Sequence, residues 1–171
     1  SLRTKLGLLD NVPVVVLVAR MLWHKGVQEF VDCARLLRER CPAYFLLVGP
    51  IDRGNPACVP EEQMDVWTKE GSVQYIGARE DIRELMSLAD VVVLPSYREG
   101  TPRVLLEAAA MARAVVATDV PGCRQVVEPF KTGLLVPPSN AGALANAVEQ
   151  LLVNPDLRLQ FGETARRKAI I

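Results

Sequence analysis

Between Asp90 and Asp119 the chain reads DVVVLPSYREGTPRVLLEAAAMARAVVATD: an apolar run, a polar hinge, a helix-forming segment and a second apolar run. Residues 91–94 carry no polar side chain, the pattern of a strand buried on both faces of a parallel sheet. Thr101 is placed to cap a helix with Pro102 at its first position, and residues 104–112 continue as strong helix formers. Residues 114–118 supply the next strand. Such a unit leaves its hinge at the carboxyl edge of the sheet. There the backbone amides of Gly100 and Thr101, at a helix start, attract an anion. Glu107 is the sole charge from Val104 to Met111. Two readings fit it. It pairs with Arg103 at i, i+4 on an exposed face, worth about 0.3 to 0.5 kcal/mol, or it is a partly buried carboxylate satisfied by hydroxyl donors.

The rest of the chain repeats the alternation. Apolar strands are expected at 14–19, 44–48, 73–76 and 133–136. Helices are expected from 27 onward and at 61–70, 81–88, 123–127, 141–152 and 155–168. Residues 1–9 read as an entry helix or extended arm, and the Gly- and Pro-rich stretch 51–60 as an irregular loop. Strand and amphipathic helix in strict alternation predict an α/β fold: a Rossmann-like, doubly wound parallel sheet of about six strands with helices on both faces. Arg20 ends the first strand and Lys25 precedes the first helix, so both belong to the carboxyl edge. Two converging cations suit a pyrophosphate, each contact contributing about 1.5 to 3 kcal/mol; two basic turn residues are otherwise simply solvated.

A chain of 171 residues, half of them hydrophobic, supports one domain with one core. Twenty basic and twenty acidic side chains cancel, which argues against a nucleic-acid partner, because tracking phosphates needs a basic excess. No apolar run approaches the roughly 18 residues of a membrane span, and no signal-peptide pattern opens the chain. Cys33, Cys41, Cys58 and Cys123 have no CxxC spacing and His24 is the lone histidine, so the expected metal ligand set is none and the cysteines read as reduced thiols. The basic cluster Arg166, Arg167 and Lys168 reads first as a solvated helix end, with a membrane-surface role as the lesser alternative. The first residue is Ser1, and Ile170 and Ile171 fall in an expected helix, the aspect of an excised domain.

The string REGTPRVLLEA, preceded by a strand ending in PS and followed by VVATDVPG and GLLVP, resembles the donor-binding signature of the retaining glycosyltransferases of family 4. Those enzymes have the two-domain GT-B architecture, and the likeness runs from Val14 to Leu152. It implies that Glu99 reaches the donor sugar and Glu107, after seven intervening residues, the ribose diol. It further implies that Arg20 and Lys25 contact the donor diphosphate, and that Gly77, Ala78 and Arg79 run beside the uracil. The resulting site has Glu99, Arg20 and Lys25 as catalytic residues. Glu107, Gly100, Thr101, Pro102, Arg103, Gly49, Gly77 and Arg79 are its donor-binding residues. The sequence departs from the family at His24, at Gln125 where a glutamate is common, and at Arg113 and Ala114 where glycine and proline are common.

By that resemblance the chain is the C-terminal nucleotide-sugar-binding domain of a hexosyltransferase resembling bacterial surface-polysaccharide and lipopolysaccharide enzymes. Its donor would be a UDP-hexose or UDP-N-acetylhexosamine, with neither cofactor nor metal. Its partners would be the N-terminal domain of the same enzyme and an acceptor glycan or lipid-linked sugar, in the cytoplasm with peripheral association at the inner membrane face. A nucleotide-sugar epimerase of the same architecture and a non-catalytic donor-binding partner domain are the alternatives. A dinucleotide oxidoreductase is disfavoured, since the first strand leads into ARMLWHKG without the glycine fingerprint.

Overall fold

The computed structural model describes residues 1–170; Ile171, expected in the last helix, lies outside the described residues. In chain order the elements are α1 (Leu2–Lys5), β1 (Val14–Val18), a 3-10 turn (Trp23–Lys25), α2 (Val27–Leu37), β2 (Tyr44–Val48), α3 (Glu61–Glu70), β3 (Gln74–Tyr75) and α4 (Ile82–Leu88). There follow β4 (Val91–Leu94), α5 (Arg103–Ala110), β5 (Ala114–Thr118), α6 (Pro121–Arg124), β6 (Gly133–Val136), α7 (Ala141–Leu152) and α8 (Pro155–Ile170). All neighbouring strands are parallel, in the order β3-β2-β1-β4-β5-β6. The chain winds outward from β1 to β3, crosses back through α4, and winds outward the other way from β4 to β6. The reversal between β1 and β4 opens a crevice at the carboxyl ends of those two strands, where ligands of such sheets bind.

The pleat explains the continuous apolar runs. Val15, Leu17, Phe45, Leu47 and Val93 face one core layer with Phe30 of α2, Trp67 of α3 and Val148 of α7. Val14, Val16, Leu46, Val48 and Val92 face the other, with Leu85 of α4, Leu105 of α5 and Cys123 of α6. Each strand therefore needs apolar side chains at every position rather than at alternate ones.

Several expectations are corrected. Thr101 does not cap α5: Pro102 occupies the N-cap position in extended conformation (φ −78°, ψ 90°) with no side-chain cap, and the helix begins at Arg103. The unbonded amides of its first turn therefore start at Arg103 and Val104, and Gly100 and Thr101 lie before it. Arg103 and Glu107 form no ion pair among the described residues; both are exposed, so neither the surface pair nor the hydroxyl-satisfied buried carboxylate is realised. β3 shrinks to two residues at the sheet margin, pairing only with β2. The short helix after β5 starts at Pro121, earlier than expected, with the proline in its first turn. The four cysteines carry free thiols, and burial pushes that of Cys33 up to about 12. Among the described residues no helix is long and apolar enough to cross a membrane.

Candidate functional site

The loop after β4 is clamped between two others by glycines. Gly26, at φ +79°, lies where any Cβ would collide with the Pro95 carbonyl, so the turn after β1 can close onto the end of β4 only through a glycine. The Tyr97 amide then donates to the His24 carbonyl at 2.9 Å, joining the two loops. On the other side a Cβ at Gly122 would strike the backbone of Glu99 and Gly100, so α6 packs directly against the residues that carry the glutamate.

This clamp fixes Glu99. Lys25 Nζ donates to Glu99 Oε1 at 2.8 Å, and the Ser96 hydroxyl donates to the same oxygen at 2.8 Å. Ser96 is fully buried, and its carbonyl accepts from Thr118 Oγ1 at 2.5 Å, which ties the hinge to the end of β5. Two donors on Oε1 leave Oε2 as the oxygen able to accept from a ligand. The lysine and glutamate side chains are only 20% and 10% exposed, so solvent screens this pair weakly. Their cleft, about 410 Å³, is also lined by His24, Arg98 and Gly100.

The charge around the cleft is predominantly positive. Burial, and then the cations Lys25, Arg98 and Arg20, hold the His24 imidazole below its ordinary pKa, against a weaker opposing effect of Glu99. Arg98 has no side-chain partner among the described residues. Arg20 bonds Asp52 Oδ2 at 3.3 Å in an exposed pair, so the two expected diphosphate cations are held by different carboxylates. The stretch that carries Asp52 is tied to the turn after β1 by Met21 N donating to Pro50 O and Trp23 N to Ala57 O.

The remaining expected residues lie along the same sheet edge or on α5. Gly49, at φ +148°, lies where a Cβ would overlap the Ala19 carbonyl, and its amide donates to the Gly77 carbonyl at 2.9 Å. Gly77 turns the chain at φ +76°. Arg79 makes a two-pronged bond to Asp81, with Nε and Nη2 at 2.8 and 2.7 Å, and this guanidinium holds the Asp81 carboxyl below its ordinary pKa. Glu107 lies outside the Lys25–Glu99 cleft. It lines a groove of about 760 Å³ between α4 and α5, together with Glu80, Ile82, Arg83 and Met111. The structure thus brings Lys25, Glu99 and Gly100 together, sets Arg20 on the adjoining loop, and places Glu107 on a separate groove beside the chain segment that follows Arg79. Ser96, Thr118, Arg98 and the paired glycines Gly26 and Gly122 were absent from the expected site. The one sequence signal for Ser96 is its place two residues beyond an apolar strand, just before three polar hinge residues.

The sequence model described as glycosyl transferases group 1 matches residues 1–168. The chain is 40% identical over 162 residues to the Campylobacter jejuni N,N'-diacetylbacillosaminyl-diphospho-undecaprenol alpha-1,3-N-acetylgalactosaminyltransferase, covering 95% of this chain and 41% of that protein. It is 35% identical to the alpha-D-kanosaminyltransferase of Streptomyces kanamyceticus, covering 96% of this chain and 42% of that one. Among solved structures, a glycosyltransferase from Rickettsia africae superimposes with a TM-score of 0.87 at 28% identity, over 99% of this chain and 45% of that one. Anabaena HepE, solved in complex with UDP, gives 0.86 at 29% identity over 98% and 46%. The chain spans less than half the length of each of these proteins. With a family match over 1–168, the chain belongs to the glycosyl transferases group 1 family.

Proposed function

We propose that the chain is the C-terminal donor-binding domain of a two-domain GT-B enzyme of family 4 that transfers a hexose or N-acetylhexosamine from UDP, with retention, to a glycan or lipid-linked acceptor. The observation that carries this reading is the Lys25–Glu99 pair at the β1–β4 reversal, in a cleft also lined by Arg98 and with Arg20 on the adjoining loop. Glu99 Oε2 faces a sugar hydroxyl, and the cations face the diphosphate. As the bond from the anomeric carbon to the diphosphate oxygen breaks, negative charge grows on that oxygen, and cations already in place stabilise it without reorganising. Those side chains neutralise the leaving group, so the reading includes metal-independent binding. Glu107 and the segment at Gly77–Arg79 belong to the nucleoside end.

Two likenesses support the ligand classes. HepE has been solved with UDP-glucose as well as UDP. The Campylobacter relative bears in its name a diphospho-undecaprenol acceptor, which supports a cytoplasmic enzyme working at the inner membrane face. Calorimetric titration with UDP, GDP and ADP, then with UDP-sugars, tests the proposal. UDP should bind most tightly, equally with and without EDTA, and a UDP-sugar should add affinity that Glu99→Ala removes. Preference for GDP or ADP would contradict the donor assignment, and loss of binding in EDTA would contradict metal independence.

A further inference from the structure

At the other end of the sheet from the Lys25–Glu99 cleft, where the strands begin, a second cleft of about 550 Å³ lies between α8 and the starts of β4 and β5. One wall is the turn from α5 into β5. There Ala112 holds a left-handed backbone at φ +57°, and the Arg113 amide donates to the Ala108 carbonyl at 2.9 Å, closing the end of the helix. The other wall is α8. A Cβ at Gly162 would strike the Ala112 carbonyl, so only a glycine lets that helix sit directly on the turn. Backbone contact therefore fixes how the two walls stand.

Four guanidinium groups line this cleft, those of Arg113, Arg158, Arg166 and Arg167, against the carboxylates of Asp90 and Glu163. Two of the four are braced in the free protein. Arg158 Nη1 donates to the Leu151 and Leu152 carbonyls at 2.8 and 2.9 Å, and its side chain is only 18% exposed. Arg113 donates through Nε to the Met111 carbonyl at 3.1 Å and through Nη1 to the Ala89 carbonyl at 3.2 Å, and it has no carboxylate partner among the described residues. Carbonyl oxygens orient a guanidinium without neutralising its charge.

The carboxylates do not cancel these cations. Asp90 is already engaged, with Oδ2 accepting from the Val14 amide at 2.8 Å and facing Arg3 at 4.0 Å, and Oδ1 facing Arg158 at 3.7 Å. Glu163 is exposed and has no side-chain partner among the described residues. A surplus of two cations is thus gathered in one concavity of a chain whose net charge is zero.

We infer that this cleft is a second anion site, which takes the phosphate monoester of a phosphorylated sugar. The planar guanidinium fork matches two phosphate oxygens at once, and groups already braced lose little freedom on binding. A phosphate monoester carries a charge of about −1.5 to −2 near neutral pH, which balances the surplus. Glu163 is left to accept sugar hydroxyls, and Leu159, 61% exposed at the same cleft, covers an apolar ring face. Strands of four or five residues rise about 3.3 Å per residue, so the height of the sheet, roughly 15 Å, separates this cleft from the one at Lys25 and Glu99. The two have no lining residue in common. The inference stands whichever nucleotide the Lys25–Glu99 cleft binds.

Calorimetric titration of the chain with glucose 6-phosphate, inorganic phosphate, glucose and the soluble phosphodiester glycerophosphoglycerol tests this. Glucose 6-phosphate should bind at one site at least tenfold more tightly than the diester, and glucose should not bind. Arg166→Glu, at an exposed position, and Arg113→Gln should each weaken glucose 6-phosphate tenfold or more, while Lys25→Ala, at the opposite edge, should leave it unchanged. Glu163→Ala should bind inorganic phosphate at least as tightly as the parent, yet lose the advantage of the sugar phosphate over it. No binding of glucose 6-phosphate, or binding indifferent to Arg166→Glu, would overturn the inference. Loss of binding in Lys25→Ala would move the phosphate to the other cleft and overturn it too. A diester bound as tightly as the monoester would point to a lipid headgroup instead, and a sugar advantage that survives Glu163→Ala would remove the sugar from the assignment.

Discussion

Lys25–Glu99 and Arg20–Asp52 both join loops at the carboxyl edge of the sheet, yet they are built differently. The first is 2.8 Å long, with side chains 20% and 10% exposed, and shares its acceptor oxygen with a buried serine. The second is 3.3 Å long, with side chains 55% and 37% exposed, and no further donor among the described residues reaches Oδ2 except Asn55. A sheltered pair is held by its surroundings and keeps its geometry when a ligand arrives. An exposed pair is worth about 0 to 1 kcal/mol and can exchange its carboxylate for a phosphate at little cost. Under the proposed function, the sheltered Glu99 would orient the sugar and the exposed Arg20 would supply adaptable charge.

The largest effect should come from breaking the sheltered pair. Glu99→Ala in the full-length enzyme should lower the transfer rate by a factor of about 100 or more, the scale of a lost preorganised polar contact. A rate within a fewfold of the parent would remove Glu99 from the reacting centre. Next comes Ser96→Ala, which deletes one of the two donors on Oε1. Urea unfolding should show a loss of about 1 to 3 kcal/mol, since the bond goes to a charged acceptor away from water. The preference for UDP-sugar over UDP should shrink while UDP affinity stays the same; loss of UDP affinity in parallel would mean that the serine supports the whole cleft instead. Arg20→Ala should leave urea stability within about 1 kcal/mol of the parent. It should also weaken UDP binding roughly tenfold, and a stability loss as large as that of Ser96→Ala would erase the contrast.

The smallest effect is a pH dependence at His24. Burial and the surrounding cations hold its pKa below 6.5 in the free protein, and a bound diphosphate would raise it. A group whose pKa rises on binding takes up a proton, so UDP affinity should increase as pH falls through the interval between the two values. Calorimetry in buffers of different ionisation enthalpy should reveal this uptake, and His24→Ala should abolish it. Proton release, or uptake persisting in the variant, would separate His24 from the ligand.

Much of the architecture was legible because periodicity and burial agree. The runs at 44–48, 114–118 and 133–136 match their strands, since a doubly covered parallel sheet demands apolar residues throughout. The start of α5 was misread because Thr101 and Pro102 carry a strong local signal, whereas Pro102 is extended at the N-cap position and the helix begins at Arg103. Ser96 was illegible as a site residue. Its burial depends on loops from β1 and β5 closing on the hinge, and the glycines that allow this, Gly26 and Gly122, are 70 and 26 residues away in sequence. Glu107 stands out in the sequence as the sole charge from Val104 to Met111, but one sequence does not reveal that it lines a groove with α4 instead of the Lys25–Glu99 cleft.

The central claim is that the cleft at the β1–β4 reversal reads a diphosphate through Lys25, and the most direct test compares UDP with uridine. Calorimetry of the parent and Lys25→Ala with both ligands isolates the charge, because only UDP carries the group that the lysine faces. UDP affinity should fall at least tenfold in the variant, corresponding to about 1.4 kcal/mol or more, while uridine affinity stays unchanged. Equal losses for the two ligands, or no loss for either, would contradict the account.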